Sequence, residues 1–427
     1  VYAAVHKFKS GDDTPYFYRT TNNGKSWKDI TDGIPDNQYA RVVREDPVRP
    51  GLLYAGTERG LFVSFNRGDN WQSMQLNLPA VPITDLKVQG NDLVMSTQGR
   101  GFWIVDDISP LRQFADAQPG ATVHLYSPAV AYRMVSGNRE GGPEYTSPNP
   151  PAGAVFYYSL DQEPDLKEES LTAEILNEEG QVVRTLTSSE DTGNKGGKGK
   201  KGYALPAQKG INRAVWDLRI DDVTRVPGLY QFGAPPEGAL PGYKLAPGEY
   251  TVRLSLGDQV QEQPLELRWD PNFSYESDRI AAQQELAGRI YEMLDETYRS
   301  VLALQTIKEQ VQSRAKIAES MDDMEDTVEA ANALVETIEE WENRLINRKR
   351  SNGQNVLTYE PRINFHLFTL LNSVDNAMQG LTQGQQARFD DLKAEWQLAM
   401  TARDKLLAED IPAYNETVQQ AILIPGL

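Results

Sequence analysis

Two copies of one short pattern stand near the start of this chain, and their spacing narrows the folds open to it. Thr20-Thr21-Asn22-Asn23-Gly24-Lys25-Ser26-Trp27 returns as Ser64-Phe65-Asn66-Arg67-Gly68-Asp69-Asn70-Trp71. Both read Ser/Thr-x-Asn-x-Gly-x-polar-Trp. Each follows a strand-like apolar run, Tyr16-Phe17-Tyr18 or Leu61-Phe62-Val63, and the polar stretch after it is hairpin-like. In such a turn Asn accepts from backbone N–H groups ahead of it, Gly takes φ > 0, and the opening hydroxyl acts like the Asn more weakly. The Trp then returns to the sheet and packs against its neighbours.

A third copy has decayed. Gly56-Thr57-Glu58-Arg59-Gly60-Leu61-Phe62 is echoed by Thr97-Gln98-Gly99-Arg100-Gly101-Phe102-Trp103, with no Trp-bearing turn after it. The strands before these also repeat, Leu52-Leu53-Tyr54-Ala55 against Leu93-Val94-Met95-Ser96. A period near 44 residues fits one four-stranded blade of a β-propeller. The pattern resembles the Asp-box hairpin of sialidase-like and sortilin-like propellers. Asn stands at the eponymous Asp position in both copies, and Asn70 replaces the usual Ser/Thr. The roles implied for Thr20, Asn22, Gly24, Ser26, Trp27, Ser64, Asn66, Gly68 and Trp71 are structural.

Residues 1–120 are therefore expected to form the last blades of a propeller, roughly two and a half by this repeat length. Closure takes about four or more blades. The chain opens on Val1 within a blade-like strand, so the remaining blades are expected upstream, in the missing N-terminal part of a longer protein.

Downstream the composition divides the chain. Residues 121–151, rich in Gly, Pro, Ser and Asn toward their end, read as a linker. Residues 152–270 read as a β-sandwich. Gly210-Ile211-Asn212 precedes a strand ending Trp216-Asp217, and Pro247-Gly248-Glu249-Tyr250 opens another. This order resembles the immunoglobulin-like domain found beside exported bacterial enzymes. From 271 to 427 Gly and Pro become scarce and helix formers dominate, which reads as an antiparallel helical bundle. The fold expected is multidomain, mainly β and then all-α.

Charge and composition exclude several functions. Lys and Arg total 43 against 61 Asp and Glu, a net charge of −18, which argues against nucleic acid as a partner. There is no Cys, so disulfides and thiolate ligands are excluded. No apolar stretch is long enough for a membrane span. His6, His124 and His366 have no ligand partner at short spacing, so neither metal nor cofactor is expected. Asn194–Gly202 holds four Lys and four Gly and reads as a surface loop. Glu319 through Asp326 reads as a solvated helix face.

Catalytic candidates are few: Arg100, Asp106, Asp107 and Arg59. A glycosidase holds two carboxylates about 5–9.5 Å apart across a bond. Asp106 and Asp107, adjacent on a strand, point to opposite faces and cannot do this alone. They suit a turn and a helix cap instead. A sialidase clamps its substrate carboxylate with arginine forks, for which Arg41, Arg44, Arg59 and Arg100 are the candidates. It also needs a Tyr–Glu pair, which the sequence does not reveal.

Gly99-Arg100-Gly101-Phe102-Trp103-Ile104-Val105-Asp106-Asp107-Ile108-Ser109-Pro110-Leu111 completes the resemblance. It is similar to the last blade of exported bacterial proteins described as sortilin-type or BNR-repeat, glycosyl-hydrolase-like. That resemblance implies export to the periplasm, the outer membrane or the medium. Three functions stay open: a non-catalytic scaffold for a glycan or protein ligand, a sialidase-like hydrolase with most of its site upstream, and a subunit of a larger envelope assembly.

Overall fold

The computed structural model describes residues 1–114, 122–134, 151–188, 204–229, 240–272, 274, 276–322, 324–349, 358–377 and 380–421. Three antiparallel sheets come first. Strands β1 (Tyr2–Lys7), β2 (Asp12–Arg19) and β3 (Lys28–Asp29) form the first sheet. The second holds β4 (Ala40–Glu45), β5 (Leu53–Thr57), β6 (Leu61–Ser64) and β7 (Gln72–Ser73) in that order. The third holds β8 (Ile83–Gln89), β9 (Asp92–Thr97) and β10 (Phe102–Val105).

These sheets stack face to face. Alternate side chains of a strand point to opposite faces, so the central sheet contributes to two cores. Phe62 and Trp71 pack back onto Phe17 and Ile30 of the first sheet. Leu61 and Val63 pack forward with Ile83, Leu93 and Met95 of the third. Gly56 permits this closeness, since a Cβ there would lie 2.7 Å from Ile83.

A short helix, α1 (Ser109–Phe114), follows. Ser109 is its first residue, and the capping oxygen comes from Asp107, whose Oδ1 accepts from Ser109 N–H at 3.1 Å. On α1, Arg112 reaches back to the buried carboxylate of Asp46 at 3.0 Å. It also donates to Asn91 Oδ1, joining the second and third sheets.

Next come two sheets that share one core. One orders β11 (Val123–Leu125), β13 (Ala154–Leu160) and β16 (Gly210–Trp216). The other orders β12 (Ala131–Arg133), β18 (Gln259–Trp269), β17 (Gly248–Leu256), β14 (Leu171–Leu176) and β15 (Val182–Ser188). The span read as a linker thus supplies β11 and β12, one to each sheet. The inner residues Phe156, Tyr158, Trp216, Leu254 and Leu265 alternate with outward ones along their strands. Trp216 donates to Arg219 O and meets the Tyr250 ring edge-on at 5.2 Å; Tyr250 Oη donates to Ala246 O at 2.6 Å.

The chain ends in helices. The first, α2 (Ser277–Ala318), runs 42 residues; α3 (Glu325–Leu345), α4 (Ile363–Asp375) and α5 (Gln383–Lys405) pack with it. Thr382 and Gln385 form a capping box at the start of α5. A π-helical turn, Leu406–Asp410, then leads directly into α6 (Ile411–Ala421). Pro412 lacks the N–H that a continuing helix uses, and so would ordinarily open a separate segment. It lies instead at the second position of α6, where the widened turn before it accommodates the missing N–H. Val223, Val226 and Leu240, from the connection after β16, join the helical core. The Lys/Gly loop 194–202, most of the Gly/Pro-rich stretch 136–153 and Asn352-Gly353 lie outside the described residues.

Candidate functional site

The two Asp-box copies build the same hairpin. Thr20 Oγ1 accepts from Gly24 N–H at 3.0 Å and Asn22 Oδ1 from Ser26 N–H at 3.0 Å. Ser64 Oγ accepts from Gly68 N–H at 2.9 Å and Asn66 Oδ1 from Asn70 N–H at 3.0 Å. Gly24 and Gly68 take φ of 85° and 87°. Ser26 Oγ also accepts from Asn22 Nδ2.

The two tryptophans differ. Trp71 is 3% exposed and donates from Nε1 to Ile30 O at 2.6 Å. Trp27 is 46% exposed, against the expectation that both pack into the stack. The reason is directional: Trp71 seats on the sheet before its own, and among the described residues no sheet lies on that side of Trp27.

The arginines do not form a clamp. Arg41 pairs with Glu58 at 2.5 Å and Arg44 with Asp85 at 2.6 Å. Arg59 and Arg100 are exposed, on equivalent turns where Thr57 and Thr97 bond Gly60 O and Gly101 O. Arg100 O accepts from Trp103 Nε1. His6 rests against the Phe8 and Tyr39 rings, His124 against Tyr126 and His366 against Phe365. Burial alone lowers the pKa of His124. Among the described residues no group of three His, Asp or Glu is arranged to hold a metal.

Asp106 and Asp107 do meet other chemistry, contributed by a distant part of the chain. Leaving β10, the backbone turns sharply at Asp107, a non-glycine residue at φ 55°. Its N–H donates to Asp92 Oδ1 at 3.2 Å, and Ile108 N–H to Asn91 O at 2.6 Å. This turn brings the carboxylates against Tyr157 and Arg213, which are cross-strand partners on β13 and β16. Both point outward, because their neighbours Phe156, Tyr158, Asn212 and Ala214 are buried.

Two hollows flank this ridge, and both are lined by Asp106, Asp107, Tyr157 and Arg213. One, of about 560 Å³, adds Asn91, Asp92 and Tyr132. The other, of about 510 Å³, adds the apolar Leu76, Trp103, Ile104 and Ile211. Burial pushes the Tyr157 phenol up to about 12; the charge of Asp107 adds to this, Arg213 opposes it, and Asp106 and Asp92 contribute further. Tyr157 is therefore a protonated donor at neutral pH, with the opposite bias from a tyrosinate nucleophile. The sequence reading missed Tyr157 and Arg213. The outward phase of both on alternating strands was the available signal.

Neither the protein-family comparison nor the comparison with curated proteins gives a match. Comparison of solved structures finds the extracellular domain of a hybrid two-component system from B. thetaiotaomicron, 12% identical over 60% of this chain, at a TM-score of 0.18. It also finds the GH74 xyloglucanase of Xanthomonas campestris, 13% identical over 58% of this chain, at a TM-score of 0.20. This chain spans 34% and 38% of their lengths. Likeness at that level carries no argument about fold or activity.

Proposed function

We propose that this chain is a non-catalytic scaffold that binds an uncharged glycan in the hollow beside Asp106 and Asp107. The observation that carries the reading is the lining of that hollow. Tyr132 and Tyr157 supply aromatic rings for the C–H face of a sugar, while Asn91, Asp92, Asp106 and Asp107 supply polar groups for its hydroxyls. Three carboxylates against one guanidinium disfavour a sialic or uronic acid. Catalysis is disfavoured separately, since Asp107 Oδ1 is engaged at the start of α1 and burial biases the Tyr157 phenol against ionising to a nucleophile.

In this reading the first three sheets are the last blades of an Asp-box propeller, and the paired sheets an immunoglobulin-like domain. The unequal tryptophans support the first part. Tyr18 and Trp27 stand where Phe62 and Trp71 stand in the next sheet, yet Phe62 and Trp71 are covered and Trp27 is not. The Tyr250–Ala246 corner packed on Trp216 supports the second. The protein would be exported; no described helix is long and apolar enough to cross a membrane.

Calorimetric titration with neutral and acidic oligosaccharides tests the reading. Neutral glucan or mannan oligosaccharides are expected to bind, with affinity lowered about tenfold by Tyr132→Ala or Asp106→Asn; sialyllactose and oligogalacturonate are not. Release of reducing sugar, abolished by Asp106→Asn, would replace the scaffold with a hydrolase. Failure of every neutral glycan would remove the glycan.

A further inference from the structure

At the far end of α2 the helical region carries an apolar hollow ringed by acids. The hollow, about 440 Å³, lies at the turn between α2 and α3 and is lined by Ala318, Met321, Met324 and Val328. Met321 is 44% exposed, and Ile317, one turn earlier, is 54% exposed. Glu319, Glu325 and Glu329 line the rim, with Asp322 and Asp326 exposed beside them. None of these five carboxylates has an ion pair among the described residues. Elsewhere on the same helices some acids find cations: Asp295 pairs with Arg299, Glu296 with Arg403, Glu339 with Lys308 and Glu342 with Arg348.

Glu325 and Asp326 stand in the first turn of α3, where the helix dipole favours acids, but Glu319 stands at the end of α2, where it opposes one, and exposed Met and Ile gain nothing from water. A partner that brings cations to the rim and apolar side chains to the floor relieves both. Methionine suits such a floor, because its unbranched thioether adapts to different side chains. The site lies about 35 Å along α2 beyond Asp295, where the helix accepts from Thr224 N–H.

We propose that this tip is a docking site for a cationic amphipathic segment of another protein, seated as a helix with its apolar face in the hollow and Lys or Arg on the rim. It is independent of the glycan site. Negative charge around an apolar floor selects against a second copy of so acidic a chain, and against anionic polymers.

The test is fluorescence anisotropy with a labelled Leu/Lys amphipathic helical peptide, using its Leu/Glu analogue as control. Binding of the Leu/Lys peptide is expected, weakening as salt rises. A Met321→Ser, Val328→Ser double variant is expected to weaken it about tenfold. A Glu319→Gln, Glu325→Gln, Glu329→Gln triple variant, on surface positions that leave folding intact, is expected to flatten the salt dependence. No binding of the Leu/Lys peptide overturns the proposal. So does equal binding of the Leu/Glu analogue, or binding unchanged in both variants, since either assigns the signal to the chain's general charge or stickiness.

Discussion

Single side chains show where chemistry and packing part company. Tyr157 sits in the candidate site with its phenol pushed up to about 12. A group whose folded pKa exceeds its unfolded one stabilises the fold fully below the unfolded value and loses that contribution as pH rises through the folded one. The Tyr157 contribution is therefore complete below about pH 10 and lost between about 10 and 12. Phenolate absorbance is expected to show a group of late-titrating tyrosines, Tyr250 and Tyr291 among them, whose amplitude falls by one phenol in Tyr157→Phe. That variant should lose less stability over the same pH window than the parent in urea unfolding. Asp106 and Asp107 were legible from the sequence as a carboxylate pair in a turn. Their neighbours were not, because a cross-strand pair such as Tyr157 and Arg213 joins positions far apart in the chain, and one residue of register decides which way each points.

At the scale of elements, the duplicated hairpin was the most legible feature. Its polar atoms act locally, within four residues, so sequence spacing dictates the bonds. What the hairpin packs against is not local, and here the copies diverge. A Cβ on Gly24 would meet nothing within 4 Å, whereas a Cβ on Gly68 would lie 2.5 Å from Ile30 Cδ1. Both substitutions strain a left-handed backbone, by about 1 kcal/mol. Gly68→Ala adds overpacking of about 1–3 kcal/mol. Equilibrium unfolding should therefore rank Gly68→Ala clearly below Gly24→Ala; equal losses would mean that the second hairpin is not docked on the first sheet. The β11 and β12 strands escaped sequence reading for a different reason. Each is three residues long, too short for alternation to register, and each is held by a neighbour from later in the chain. The continuous passage from α5 to α6 was hidden by Pro412, which reads as a stop unless the π-helical turn before it is known.

Across the whole molecule, one buried carboxylate ties the sheets to the helices. Asp375, at the end of α4, is almost wholly enclosed. It accepts from Arg219 Nη1 at 2.9 Å and Lys244 N–H at 2.8 Å, with Arg133 at 3.8 Å. Arg133 in turn lies over the Trp269 ring. Removing one member of a buried ion pair leaves the others uncompensated, at a loss of about 3–5 kcal/mol. Asp375→Ala is expected to split thermal unfolding into separate steps for the helical and sheet regions. A single unchanged transition would show that the apolar contacts of Val223, Val226 and Leu240 suffice. No sequence pattern announced this junction, because Arg133, Arg219, Lys244 and Asp375 come from four separate stretches.

The length of α2 has a mechanical consequence. A continuous helix is stiff, and the stretch from Asp295 to Ala318, about 35 Å long, is tied to its neighbours, as where Gln305 meets Glu342 on α3 and Ser300 meets Arg403 on α5. A load applied at the tip is therefore shared with α3 and α5, and passes to the sheets where Thr224 N–H meets Asp295 on α2 and Arg219 meets Asp375 on α4. Tension at the tip thus loads the helix-to-helix contacts as well as the sandwich.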